Sequence, residues 1–392
     1  MRILQIIPSI SLVYGGPSQM VLGLSAALAS RGIDVTIITT DSNGDIGQHP
    51  LDVSLNQPIK QNGYQIIYFR CSPFRRYKFS LGLLQWLNEN AQQFDLAHIH
   101  ALFSPVITFA ATIARYHKLP YIMRPCGMLD PADLQKKKRL KHIYATLLER
   151  PNLAGAAAIH FTSKEEAKIS ERFGLNCTSK MPAPRDLVIP LGVTADLFPT
   201  RLRESQVPII LFMSRIEPKK GLDLLIPALE SILGAGIEFH FILAGSNPQD
   251  ADYETKIKVQ IQNSSLAKYT TITGFVSGDL KVELLTKADL FVLPSYYENF
   301  GIAVAEAMAA GVPVAISDRI HIAEDIQQAE AGWVGPLEVG AIANSIKSAL
   351  LNPQERQRRG LNGQEYAKKH YNWEAIAQHT IDAYQEILSS IA

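Results

Sequence analysis

The chain has little cysteine, a modest charge content and no long apolar run, and each shortage excludes something. Three cysteines, Cys71, Cys126 and Cys177, stand far apart among 392 residues, with no Cys-x-x-Cys pair. An odd, sparse set fits a reducing compartment and argues against a disulfide framework or a thiolate zinc cage. Charged residues make up 19%, below the ~25% common in soluble domains. With 47% hydrophobic residues, this argues against disorder and for large buried sheets. Lys and Arg number 38 against 37 Asp and Glu, a net charge of +1. The chain as a whole is therefore not built to coat nucleic acid or an anionic membrane, and any basic surface is local. No apolar run reaches the ~18 residues of a membrane-spanning helix. No repeat at fixed period and no low-complexity segment is present.

What is present is a rhythm of short apolar runs and helical patterns. Strands are expected at 3–7, 35–39, 65–69, 96–100, 121–124 and 157–162, then at 209–214, 239–244, 270–273, 290–293 and 312–316. Most are continuous apolar runs, as in parallel strands covered by helices on both faces. The β-then-α order restarts after about residue 205, which predicts an α/β chain of two doubly wound, Rossmann-like domains. The boundary is expected in the proline-containing stretch 181–208, separating a domain 1–190 from a domain 191–372. The last amphipathic helix, within 373–392, either caps the second domain or crosses back to the first. Pro8 cuts the opening run 1–7 short and no small-residue cleavage site follows, so it reads as a first strand rather than a signal peptide.

Two segments of the second domain carry chemistry. Pro294-Ser295-Tyr296-Tyr297-Glu298-Asn299-Phe300-Gly301 follows an apolar strand and opens a helix that Gly311 and Pro313 end. A helix start at the C-terminal end of such a strand favours an anion, for example a diphosphate. Glu306, one turn inside, leans back toward that end. Glu298 and Glu306 then either accept hydrogen bonds from sugar hydroxyls or are ordinary helix-start charges. Upstream, Ser214-Arg215-Ile216-Glu217-Pro218-Lys219-Lys220-Gly221 places two or three cations at a similar turn. These either neutralise a diphosphate or form a solvated basic turn. Asp250 and Asp252 read as a helix-cap pair before a metal pair.

The first domain offers weaker signals. Tyr14-Gly15-Gly16-Pro17-Ser18 opens a long helix, suiting close approach of a phosphate or a plain tight turn; it is not the dinucleotide Gly-x-Gly-x-x-Gly fingerprint. His98 and His100 share one face of a strand, as a metal pair or as satisfied structural residues. Arg124-Pro125-Cys126-Gly127 leads into a helix with Lys136, Lys137, Lys138, Arg139 and Lys141, and with Leu140, Ile143, Tyr144, Leu147 and Leu148 as its apolar side. Its basic face suits a phosphorylated lipid carrier, an anionic membrane surface or plain solvent. Cys126 reads as space-filling, since no general base is assigned to it.

The combination Glu-x-Phe-Gly-x4-Glu-Ala-Met-Ala-x-Gly-x-Pro-Val, with Ser-Arg-x4-Lys-Gly upstream, resembles the retaining GT-B glycosyltransferases (glycosyl transferase group 1, family 4), and the similarity covers nearly the whole chain. The resemblance implies two Rossmann-like domains facing a cleft, the second binding a nucleoside diphosphate sugar. It implies that Arg215 and Lys220 grip the diphosphate and that Glu298 holds a donor-sugar hydroxyl. Backbone groups of Asn299, Phe300, Gly301 and Ile302 would meet sugar and phosphate, Glu306 the ribose, and Val276 the base. Gly15 and Gly16 would approach the donor phosphate or the acceptor, and His100 would face the donor sugar, leaving His98 structural. Arg124, Lys136 and Lys137 fall on the acceptor side. The implied activity is retaining, metal-independent and cofactor-free hexosyl transfer, with the nucleotide sugar as substrate. UDP-sugar is the expected donor, with GDP-sugar as the rival. The expected acceptor is a glycan or lipid-carrier-linked glycan in exopolysaccharide or envelope synthesis. No nucleic-acid partner is expected. The expected location is the cytoplasm, with peripheral contact on the inner face of the plasma membrane. A nucleotide-sugar epimerase on the same double fold and a non-catalytic nucleotide-sugar-binding protein are the alternatives. Two segments depart from the family: 189–193 reads Ile-Pro-Leu-Gly-Val where Ile-Pro-Asn-Gly-Val is usual, and 317–322 lacks a frequent glycine pair.

Overall fold

Continuous apolar runs become strands buried on both faces. The structure, a computed structural model, describes the chain except residues 45–47, 74–77, 136–137, 174, 176–183, 195–197, 199–206 and 392. The chain divides into two units, Met1–Gly192 with Trp373–Ala392, and Val193–Asn372.

In the first unit the strands are β1 (Arg2–Ile6), β2 (Asp34–Thr40), β3 (Pro58–Gln61), β4 (Tyr64–Phe69), β5 (Leu96–His100), β6 (Tyr121–Arg124), β7 (Ala158–Phe161) and β8 (Arg185–Val188). Their order is β3-β4-β2-β1-β5-β6-β7-β8. Only β3 runs antiparallel to its neighbour; the other pairings are parallel. The final helix, Trp373–Ile391, belongs to this unit and packs on the helix Gly16–Ser30. It docks closely because Gly23 and Gly192 have no side chain: a Cβ on either would stand 2.3 or 2.2 Å from the Trp373 ring. Of the two placements open to this helix, the structure takes the return to the first unit.

The second unit holds β9 (Ile209–Met213), β10 (His240–Ala244), β11 (Thr270–Gly274), β12 (Leu290–Leu293), β13 (Val314–Ser317) and β14 (Gly332–Gly335). All pair in parallel, in the order β11-β10-β9-β12-β13-β14. Chain order reverses between β9 and β12 in this sheet, and between β1 and β5 in the first. Ligands of doubly wound sheets bind outside the C-terminal strand ends at such reversals.

Three strands lie outside the expected set: β3, β8 and β14. All three are sheet edges. An edge strand has one side open to water, so β3 and β8 carry charged and polar residues and β14 is bounded by glycines. Such segments give no apolar run to read.

Candidate functional site

In the second unit the two motif segments leave the strands on either side of the reversal, 214–221 after β9 and 294–301 after β12. Gly221 brings them into contact. Its backbone is left-handed, φ 74° and ψ 25°, and a Cβ there would lie 1.9 Å from the Pro294 carbonyl oxygen. Only glycine fits such an approach. The Tyr296 N–H donates to the Lys219 carbonyl at 2.8 Å.

Held this way, the Lys220 ammonium donates to the Glu298 carboxylate. The two side chains are 8% and 17% exposed. Burial pulls the Lys220 ammonium below the ordinary lysine range, with Glu298 pulling it back up. Burial alone would raise the Glu298 carboxyl; Lys220, Lys219 and Arg215 together outweigh it and hold the carboxyl below its ordinary value. Arg215 and Lys219 lie 3.2 and 3.5 Å from Glu217. Three cations thus meet two carboxylates, which leaves an excess of positive charge for an anion.

Gly301, at φ 81°, starts the helix Ile302–Ala309, and no side chain caps it. Its first amides are open to a ligand. Glu298 is fixed by its own backbone: its N–H donates to Arg319 and its carbonyl accepts from His321, at 3.2 and 3.1 Å. The Ser317 hydroxyl donates to the Ser295 carbonyl at 2.5 Å. The segment without the glycine pair therefore straps the Glu298 loop. Phe300 is buried edge-on against Tyr371, centroids 5.2 Å apart, which anchors the turn and leaves Asn299 partly buried beside it. Glu306 accepts from Lys281 at 2.6 Å. Lys281 stands on the helix Gly278–Lys287, which starts two residues after the half-buried Val276. Asp250 accepts from the Tyr253 N–H at 3.3 Å as a helix cap, and no metal-ligating cluster occurs among the described residues.

In the first unit, Gly15 at φ 73° precedes the helix Gly16–Ser30, with Pro17 in its first turn. A buried hydrogen-bond chain underlies the reversal. His160 Nε2 donates to the Ile189 carbonyl at 2.9 Å. Its Nδ1 then accepts from His98 Nε2 at 3.1 Å. His98 Nδ1 accepts from the Tyr384 hydroxyl at 2.8 Å, and Tyr384 in turn accepts from the Gln5 amide at 3.3 Å. Gln5 Oε1 accepts from His100 Nε2 at 2.6 Å. The directions follow from the one carbonyl at the end, because a neutral imidazole has one donor and one acceptor. Burial, then neighbouring histidines and Arg124, push His98 and His100 well below the ordinary value of 6.5. Burial first, then Arg124, push His160 down to about 3. Three non-glycine residues in the loops after β5 and β6 have left-handed backbones, Ala101, Phe103 and Cys126, at φ 77°, 54° and 53°. Burial pushes the Cys126 thiol up, against a nucleophilic role.

A family model described as glycosyl transferases group 1 matches residues 195–366. A second, a glycosyl transferase 4-like domain, matches residues 15–192. The chain belongs to the group 1 glycosyltransferases. A phosphatidyl-myo-inositol mannosyltransferase of Mycobacterium leprae is 24% identical over 100% of this chain and 98% of its own length. A sucrose-phosphate synthase from Thermosynechococcus elongatus superposes with a TM-score of 0.77 at 21% identity, over 100% of both chains. Anabaena HepE, solved in complex with UDP-glucose, superposes with a TM-score of 0.74 at 20% identity, also over 100% of both. The fold of this glycosyltransferase is GT-B.

The structure gathers Arg215, Lys220, Glu298, Asn299, Phe300, Gly301 and Ile302 at one reversal, with Glu306 one turn inside the helix. Two expected residues of the glycosyltransferase are placed otherwise. His100 is not an open cleft residue: it is fully buried, with its Nε2 donating to Gln5 and its Nδ1 without a partner among the described residues. Arg124 is not an open acceptor-side cation: it is 3% exposed, with its guanidinium against the Met20 sulfur. Both sit at the ends of central strands, Arg124 against Met20 of the helix Gly16–Ser30 and His100 against Gln5 and the His98 ring. Lys136 and Lys137 lie outside the described residues. Sequence reasoning missed Lys281, Gln5, His160, Tyr384 and Asn247. Asn247 is buried and donates to the Ile216 carbonyl at 3.2 Å, tying the loop after β10 to the Arg215 loop. Its position just past an apolar strand was the available signal.

Proposed function

We propose that this glycosyltransferase moves a sugar from a nucleoside diphosphate sugar, held by the second unit, to a glycan or lipid-linked glycan, with retention at the anomeric carbon. The observation that carries the reading is the Lys220–Glu298 pair beside the uncapped helix start at Gly301. As the glycosidic bond to phosphate breaks, negative charge builds on the departing diphosphate. Arg215, Lys220 and the amides of Phe300, Gly301 and Ile302 stabilise that charge, preorganised at partly dry positions. Protein cations take the place of a metal in this reading. Glu298 accepts a hydrogen bond from a hydroxyl of the donor sugar, Glu306 one from the ribose, and Val276 backbone groups read the base. The acceptor attacks from the face the diphosphate leaves, with no covalent glycosyl-enzyme. The complex of HepE with UDP-glucose supports UDP as carrier over GDP. The phosphatidyl-myo-inositol mannosyltransferase relative supports a lipid-linked acceptor, and with it a place in envelope or exopolysaccharide synthesis.

The test is a thermal-shift panel of UDP, GDP and their sugars. UDP forms raise the midpoint of the wild type, and Lys220→Ala abolishes the rise. A rise that persists in Lys220→Ala overturns the phosphate site. Incubation with the UDP-sugar alone separates the rival: an epimerised sugar with no acceptor present refutes transfer as the activity.

A further inference from the structure

The stretch 138–150 of the first unit is turned inside out. It runs as the helix Lys138–Tyr144 and a π-helical turn, Ala145–Glu149. Its inward side is polar or small. Tyr144 exchanges a hydrogen bond with the Thr108 hydroxyl at 2.8 Å, Ala145 is fully buried, and the buried Glu149 accepts from the Phe103 N–H and the Thr108 hydroxyl, each at 2.8 Å. Its apolar side faces water. Leu140 is 66% exposed, Ile143 58% and Leu147 68%. Spacings of three and seven residues put these on one helical face. Leu148 extends the stripe. Phe109 and Tyr116 are exposed on the neighbouring helix Pro105–Tyr116, seven residues apart and so also on one face. A contiguous exposed apolar stripe on a soluble protein marks an interaction surface.

The charge around the stripe selects the partner. Residues 139–150 contain Arg139, Lys141, His142 and Arg150 as basic side chains. The only acid in that stretch, Glu149, is buried. Arg139 is exposed and lies to one side of the stripe. Lys141 is engaged by Asp133 at 2.7 Å. An apolar ridge that enters the acyl boundary, flanked by cations at headgroup level, is the pattern of a helix lying in a bilayer interface. We propose that this stripe docks the first unit on an anionic lipid bilayer, with Leu140, Ile143 and Leu147 inserted and Arg139 on the lipid phosphates. The proposal stands on the first unit alone and is independent of the donor reading.

The test is co-sedimentation of the full chain with vesicles of phosphatidylcholine, and of equimolar phosphatidylcholine and phosphatidylglycerol. The wild type partitions to the anionic vesicles, and added salt weakens it. The variant Leu140→Gln/Ile143→Gln/Leu147→Gln loses up to about a thousandfold in partitioning, because each of the three apolar side chains left in water forfeits about tenfold. Arg139→Gln loses less. Leu351→Gln/Leu361→Gln, which alters exposed leucines of the second unit, binds as the wild type does. These positions are exposed, so circular dichroism confirms that each variant folds. The proposal is overturned if the wild type ignores anionic vesicles or if the triple variant binds unchanged. It is overturned equally if sedimentation velocity shows that the triple variant dissolves a dimer while lipid binding stays.

Discussion

Lys220→Met removes the cation from a buried pair and leaves Glu298 enclosed. Removing one partner of a buried ion pair costs about 3–5 kcal/mol. Both side chains keep some solvent contact, 8% and 17%, so the lower end, about 3 kcal/mol, is the estimate to use. In a cooperative unit of this size that is roughly 6–12 °C in Tm. The pH dependence identifies the cause. In the wild type the Glu298 carboxyl is held below its ordinary value, so its contribution is present above pH 4.5 and lost as pH falls through the folded value. In Lys220→Met burial dominates and the carboxyl rises above 4.5, so its penalty is full near neutrality and relieved in acid. The stability gap between the two proteins therefore narrows as pH falls from 7 toward 4. Lys220→Met/Glu298→Gln recovers about half the loss at pH 7, because no charge is stranded. It still shows no thermal shift with UDP, since the phosphate cation is gone. Hydrogen-exchange mass spectrometry on second-unit peptides across this pH range reads the gap directly. A double variant no more stable than Lys220→Met, or a gap that widens in acid, refutes the reasoning.

Two further outcomes follow from the same geometry. Glu306→Gln weakens UDP binding by about 1–3 kcal/mol but leaves 2′,3′-dideoxy-UDP binding unchanged, as read by calorimetry; equal losses for both nucleotides would place Glu306 away from the ribose. The first unit loses stability as pH drops below 6.5, because the unfolded chain protonates histidines that the fold keeps neutral. Each histidine contributes a slope of up to ~1.4 kcal/mol per pH unit, and His160→Gln removes one such share. Urea midpoints between pH 7 and 5, read on peptides of β5 and β7, check this; a slope unchanged in His160→Gln would sink it.

The second-unit site was legible because strand ends in a parallel sheet carry it in short runs. The residues from Ser214 to Gly221 and from Pro294 to Gly301 are each contiguous, and each follows an apolar strand. The edge strands β3, β8 and β14 were illegible because half-exposed strands lack that apolar run. The first-unit network was illegible for another reason. Gln5 and Tyr384 stand 379 positions apart, and no local pattern joins them. His98 and His100 were correctly placed on one strand face, but their full burial and their partners, Tyr384 for His98 and Gln5 for His100, are set by residues remote in sequence. The apolar side of the helix Lys138–Tyr144 was legible as a stripe, but its exposure was not, since periodicity gives the face and not what covers it.

The two reversals are built with opposite electrostatics. In the second unit the cations remain partly wet and are paired with carboxylates. In the proposed donor site an arriving dianion would find Lys220 already largely stripped of water, and Glu298 would be freed to accept from a neutral hydroxyl. In the first unit Arg124 is buried and no ion pair within 4 Å is made by it among the described residues, Glu166 acting on it from further away. A buried cation is tolerable beside neutral imidazoles and not beside protonated ones, so Arg124 and burial together keep His98, His100 and His160 uncharged. Neutrality in turn fixes the direction of every hydrogen bond from Ile189 to His100, because each ring has one proton to give. The same topology thus supports the proposed anion site where the loops are cationic and open, and a proton-ordered network where the polar groups are buried.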